Sequence, residues 1–383
     1  MRALLIINNL KPMKKLLYLL MAILPALSAN AQQTNYKLVI GTYTAPGKSE
    51  GIYVYDFNTA TAAFNLLSIE KNVINPSFLA LNGDRKFIYA VNEDGTKSTV
   101  SAFNFDAAQG KLGFLNKQDA NGADPCYLIA DKKNVIISNY TGGSIAVYGK
   151  DHSGALSPAK QIIQHTGSSI DSKRQSSAHV HMARFTPDGK YVVVNDLGED
   201  RIYFYTYNPD SADSVLVFKN SITVKPGSGP RHIIFSPNGK YAYLIQEMTG
   251  AISVFSYKNA VLSLIQEETM VAKDFKGENG GADIQLSADG KFLYASNRGT
   301  ANTITTFAIG KDGKLLNKGN ISTTGKGPRA FSIDPSGDWV LVGHQLTNDI
   351  TIFKRNKTTG MLTDTGKKID IGAPVCFLFV PNK

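Results

Sequence analysis

Arginine, glutamate and histidine recur in this chain where short apolar strands begin or end, and those are the places where chemistry could be done. Gly229-Pro230-Arg231-His232 opens one apolar run, and Gln246-Glu247 closes the next. A Pro237-Asn238-Gly239 turn lies between them. Residues equidistant from a hairpin turn lie close together, so Arg231 is expected opposite Gln246 and beside Glu247. Aligning the other copies on their turns puts His181 and Arg329 in the position of Arg231. The same alignment puts Glu93, Arg298 and Gln345 in the position of Glu247, with Asp196, His232 and Asn297 next door. Of His179 and His181, one is expected to face the shared space. The alignment favours His181 and leaves His179 to pack between repeats.

A set of this kind can handle an anionic transition state. A carboxylate or imidazole can take a proton from water, and guanidinium groups can hold an oxyanion, a carboxylate or a phosphate. Glu247, near Arg231 and Arg298, is expected to stay ionised. Ion pairing between repeats is the plainer explanation for any single pair. Convergence of the whole set on one concavity points instead to a site.

The elements that would position these residues follow from a repeat of roughly 50 residues, a period typical of propellers. Each unit has an apolar run, a turn, an aromatic-rich strand and a third strand ending in Phe or Tyr. Turns fall at Asn82-Gly83-Asp84, Pro187-Asp188-Gly189, Pro237-Asn238-Gly239, Ala288-Asp289-Gly290 and Pro335-Ser336-Gly337, with a shorter one at Asp131-Lys132-Lys133. Proline presets φ and glycine accepts positive φ, so each turn has a mechanism. Six full copies begin near Pro76, Pro125, Ala178, Pro230, Ala282 and Pro328. A seventh begins at Pro374 and supplies one strand, Val375 to Val380. Strands at Leu38–Tyr43, Gly51–Asn58 and Phe64–Ile69 lack a first partner. Joining the two sets predicts an all-β, seven-bladed β-propeller whose last blade combines N-terminal strands with the C-terminal strand. Such closure removes the open edges that a linear array would expose.

The chain has 383 residues with a formal net charge of +10. Met13-Lys14-Lys15, an apolar run from Leu16 to Leu27 and Ala29-Asn30-Ala31 read as a signal peptide, residues 1–31, cleaved after Ala31. A periplasmic or secreted protein without a membrane anchor is therefore expected, with one domain over residues 32–383. Losing Arg2, Lys11, Lys14 and Lys15 with the leader leaves a net charge of only +6. No basic run interleaves with aromatics, so nucleic acid is excluded as a partner class. Cys126 and Cys376 start repeats that are not neighbours and are expected to be buried free thiols. A monomer is expected.

Five motifs in order carry a resemblance to a known family. They are Ser176-Ser177-Ala178-His179-Val180-His181, Asn195-Asp196-Leu197-Gly198-Glu199-Asp200-Arg201, Gly229-Pro230-Arg231-His232, Ser296-Asn297-Arg298-Gly299 and Ala373-Pro374-Val375-Cys376. Together they resemble the propeller lactonase family, from Gly41-Thr42-Tyr43-Thr44 to Pro374-Val375-Cys376. The resemblance implies hydrolysis of a small-molecule sugar lactone, as by a 6-phosphogluconolactonase, with no cofactor and no metal. Matched motif by motif, it implies catalytic roles for His181 (or His179), Arg231, Glu247 and Arg298. His179, Asp196, His232, Asn297, Arg329 and Gln345 are the expected substrate contacts. Gln285 departs from the family, where His often follows Ala-Asp-Ile, and glutamine cannot shuttle a proton.

No Gly-x-Ser-x-Gly elbow is present, so the expected mechanism is direct attack by water. Glu247 or His181 would activate the water, and the other would serve the leaving oxygen. An exported enzyme would rarely meet a phosphorylated cytosolic intermediate, which favours an unphosphorylated aldonolactone. Two other readings stay open. One is a calcium-dependent propeller lactonase using Glu93, Asp196 and Asn297, against which three arginines argue. The other is a non-catalytic binding propeller.

Overall fold

The computed structural model describes residues 34–382 apart from 46 and 273. The leader expected at residues 1–31 therefore lies outside the described residues. The described chain is built from seven four-stranded antiparallel sheets. The strands alternate short turns with β-branched and aromatic runs, the composition that suits a pleated, buried surface. Blades 1 to 6 follow the chain, with innermost strands Phe78–Leu81, Pro125–Ala130, Val180–Phe185, Pro230–Phe235, Gly281–Leu286 and Pro328–Ile333. The seventh blade has Pro374–Pro381 innermost, followed by Asn35–Thr42, Gly51–Asn58 and Ala63–Lys71. The split blade expected from the sequence is thus present. Cys376 pairs with Gly41 and Val380 with Lys37 across its seam.

The turns between the two inner strands explain why the blades repeat so evenly. Gly189, Gly239, Gly290 and Gly337 each donate to the carbonyl three residues earlier and hold φ between 66° and 74°. An L side chain is disfavoured there. Thr186, Ser236 and Ser287 bridge the first three turns through their hydroxyls to the strand that returns, and the Asp334 carboxylate does so in the fourth.

Apolar packing runs between blades rather than within them. Seven buried clusters each join neighbouring sheets, among them Tyr89, Val91, Leu128 and Val135 between blades 1 and 2. Another joins Trp339, Leu341, Leu38 and Phe57 between blades 6 and 7. Phe57, Phe103, Phe204, Phe307 and Phe353 are fully buried in this ring of interfaces. Cys126 and Cys376 are buried free thiols, as expected. No helix among the described residues is long and apolar enough to cross a membrane.

Candidate active site

The register of the inner hairpins differs from a simple count in one respect that matters. Pro230, not Arg231, pairs with Gln246, and the next pair is His232 with Ile245. Arg231 is the extra residue of a bulge, which corrects the pairing expected from the turn. The same shift leaves Cys126, His181 and Arg329 unpaired in blades 2, 3 and 6. A bulge re-aims the side chain it frees. Here it frees one residue in each of blades 2, 3, 4 and 6, so the equivalence of His181, Arg231 and Arg329 holds although their pairing does not.

The second ring is fixed by backbone. Tyr43, Glu93, Tyr140, Leu197, Glu247, Arg298 and Gln345 each follow the last residue of a second strand. Each donates its N–H to a carbonyl at the entry of the same blade, at 2.7–3.3 Å. Seven equivalent bonds thus fix these seven positions; six of the side chains line one mouth, and Leu197 is buried. Asp196 and Asn297 stand one residue earlier, at strand ends, and serve the blade instead. Asp196 accepts from the His179 and Glu199 N–H groups and lies 2.7 Å from His165 Nδ1. Asn297 accepts from Gly280 N–H and donates to Asn279.

Glu247 is the centre of the mouth. Its Oε2 lies 2.9 Å from Arg231 Nε and 3.0 Å from Arg298 Nη2. Its Oε1 lies 2.5 Å from Arg174 Nη2. Burial is the largest influence on this carboxyl and pushes its pKa up. The Arg298 and Arg231 charges and the Arg174 bond outweigh that influence and bring it down to about 2. Arg231, fully buried, is lowered to about 10 by burial and by the charges of Arg298 and Arg329. His181 Nε2 lies 3.9 Å from Glu247 Oε2 and its Nδ1 lies 3.7 Å from Cys126 Sγ. Burial, then the Arg231 charge, hold His181 well below its ordinary value, so its imidazole is neutral.

Across the mouth, Glu93 accepts hydrogen bonds from the Tyr43 hydroxyl, at 2.8 Å, and from the Ser77 hydroxyl. Burial raises the Glu93 carboxyl above its usual range. Arg329 lies over the Tyr43 ring at 5.5 Å and makes no ion pair among the described residues. These groups enclose a cavity of about 560 Å³ that includes His181, Glu247, Arg298, Arg329 and Gln345 on its wall.

Of the expected site residues, His181, Arg231, Glu247, Arg298, Arg329 and Gln345 therefore gather at one end of the channel. His179 sits at the rim, its ring stacked on Tyr140 at 4.6 Å, while His181 meets the same tyrosine edge-on. His179 precedes the strand Val180–Phe185 and packs between repeats as expected, its Nδ1 3.0 Å from Tyr140 O of blade 2. His232 points below the mouth, 3.2 Å from Asp283, with its pKa lowered to about 4 by burial and the Arg231 charge. Gln285 lines the channel below as well. Of the three oxygen donors considered for calcium, only Glu93 lines the mouth cavity. The one cluster of metal-capable groups among the described residues is His165, Asp196 and Glu199. There both His165 nitrogens already face Asp196 and Tyr205.

Sequence reasoning missed Arg174 and Tyr140. Arg174 lies in the connection from His165 to His179, outside every aligned strand. Its signal was the length of that connection, since long ordered loops commonly carry function. Tyr140 was recoverable, because it occupies the Glu247 position of blade 2.

Fold and site together define a seven-bladed propeller with a guanidinium-rich polar mouth. Residues 37–379 match the family described as "Lactonase, 7-bladed beta-propeller". The chain belongs to this family. It is 38% identical to the 6-phosphogluconolactonase of Formosa agariphila, over 85% of this chain and 94% of that one. It is 33% identical to the 6-phosphogluconolactonase of Bacillus subtilis, over 91% of this chain and 99% of that one. Among solved structures it superposes on the periplasmic gluconolactonase of Pseudomonas aeruginosa with a TM-score of 0.87 and 33% identity, covering 91% of this chain and 100% of that one.

Proposed function

We propose that the mouth hydrolyses an aldonolactone by direct attack of water. One observation carries the reading. Three guanidinium groups share Glu247, while the fourth, Arg329, forms no ion pair among the described residues and feels Glu93, on the same cavity wall, only at longer range. Arg329 is thereby available to the oxyanion that forms when water adds to the lactone carbonyl. Glu247 is a weak base at about 2, and three arginines occupy its oxygens. Its role is to hold Arg174, Arg231 and Arg298 in place. Neutral His181 takes the proton from water. As the ring C–O bond breaks, the same proton passes to the leaving alkoxide, so no external acid is consumed. Gln345 and Arg298 contact the sugar hydroxyls.

The names of the relatives support a sugar lactone as substrate, one of them without a phosphate. We infer that the substrate here is unphosphorylated, because residues 1–31 read as a leader for export. N-terminal sequencing from the native host should begin at Gln32, and a mature chain retaining Met13 would overturn the exported location. The reaction is tested with glucono-1,5-lactone, its 6-phosphate and a plain alkyl lactone. Turnover of glucono-1,5-lactone at a rate at least equal to the phosphate is expected, with the alkyl lactone inert. A folded protein that turns over none of them would be a binding propeller.

A further inference from the structure

A sugar lactone brings several hydroxyl groups, and each O–H needs an acceptor once it leaves water. The mouth is rich in donors and poor in acceptors. Guanidinium groups only donate, and Glu247 has both oxygens turned to Arg174, Arg231 and Arg298. Asp124, also on the wall, accepts the Gly95 N–H at 2.9 Å through Oδ1. Glu93 is a carboxylate of the same wall that the hydrolysis leaves unused. Its Oε1 accepts from the Tyr43 and Ser77 hydroxyls, and its Oε2 accepts no hydrogen bond among the described residues.

Glu93 is also held in place from both sides. Its N–H donates to Asn75 O at 3.3 Å, and Asn75 Nδ2 donates back to Glu93 O at 2.7 Å. Asn75 Oδ1 meanwhile accepts the Thr44 N–H at 2.9 Å, which ties the exit of blade 7 to blade 1. The two hydroxyls on Oε1 come from the same pair of blades, Tyr43 just after Asn35–Thr42 and Ser77 just before Phe78–Leu81. With the backbone clamped and Oε1 engaged twice, Oε2 is a pre-positioned acceptor on this wall.

We propose that Glu93 is a specificity-determining residue of the mouth, whose Oε2 accepts O–H groups of a polyhydroxy ring. The inference rests on the sugar-lactone reading of the same cavity. A neutral hydroxyl suits this oxygen better than a cation, because Arg329 lies over the adjoining Tyr43 ring and its charge reaches Glu93. A phosphate or a second carboxylate there would meet a like charge.

The test is calorimetric titration with glucono-1,5-lactam, a ring of the same hydroxyl pattern closed by an amide, beside its 2-, 3- and 4-deoxy forms. Native protein should bind the lactam, and at least one deoxy form should bind about tenfold or more weakly, as for loss of a hydrogen bond to a charged group. Glu93→Leu should bind the lactam and that deoxy form alike. Glu93→Gln keeps the shape of the side chain and should shrink the difference to about threefold or less, so it decides the matter if Glu93→Leu does not fold. An equal loss for the lactam and every deoxy form would make Glu93 a counter-charge for Arg329 and overturn the proposal. Native protein that binds no lactam, or binds all four rings alike, would do the same. Lactone turnover is measured separately on the native protein. Binding that depends on the hydroxyls and on Glu93, without turnover of any lactone, would leave this subsite standing and overturn the hydrolysis instead.

Discussion

At the scale of residues, the site is an arrangement of charges whose cost is met by mutual contact. Burying Arg231 beside Glu247 is tolerable because each satisfies the other, and removing one partner strands the rest. Glu247→Gln should therefore lower both melting temperature and turnover. Its pH dependence follows from sign. The folded carboxyl sits near 2, below its ordinary 4.5. Its contribution to stability is complete above 4.5 and is lost as pH falls through 2. The melting difference between native protein and Glu247→Gln should accordingly shrink across that window. His181→Gln should behave otherwise, with melting near native and turnover down roughly 10²–10⁴-fold, the usual cost of a lost general base. The acid limb of native turnover should lie below pH 6.5, since His181 is held below that value. Native melting with lost turnover in Glu247→Gln would transfer the base to that residue. Much of this set was legible beforehand because turns number the strands on either side of them. Arg174 was not, because no repeat indexes a loop.

At the scale of elements, two devices aim the side chains, a bulge in the first strand and a backbone bond after the second. The ring of bonds followed from the repeat. The bulge left no residue type of its own in the sequence, so Arg231 was paired one position out although its direction was anticipated. Asp196 and Asn297 show the same limit. They are polar, near the right place, and turned into the blade because they precede the ring by one residue. The loop that carries Arg174 is seated by close approach at Gly198. A Cβ there would lie 1.9 Å from Ser177 O and 2.8 Å from His179 N. Both contacts are backbone, so the loop must move rather than a side chain. Gly198→Ala should displace the segment from Arg174 to His179, loosen the Arg174–Glu247 contact and reduce turnover with a modest loss in melting temperature. Turnover equal to native would mean that the loop does not position Arg174 for catalysis.

At the scale of the whole molecule, stability depends on the ring being complete, because each apolar cluster is shared between two blades. The seventh blade contributes to two of them at once. Cys376 and Val380 pack into the cluster shared with blade 1, while Phe377 and Phe379 pack against the cluster shared with blade 6. Trp339 adds a bond across the latter interface, from its indole Nε1 to Thr59 O at 2.8 Å. Deleting residues 373–383 would remove the innermost strand of that blade, expose the edge of Asn35–Thr42 and open both clusters. Losing a single buried phenylalanine costs about 3–5 kcal/mol, a large part of the roughly 5–15 kcal/mol that holds a typical protein folded. Loss of the strand exceeds it. The truncated chain should therefore fail to show a cooperative melting transition and should aggregate through its open edge. A milder variant separates closure from simple loss of mass. Val380→Asp keeps the strand and its backbone pairing but places a charge in a fully buried position. It should fold with a clearly lowered melting temperature, whereas the deletion should not fold. A deletion variant that melts like the native protein would show that the propeller does not close through this strand.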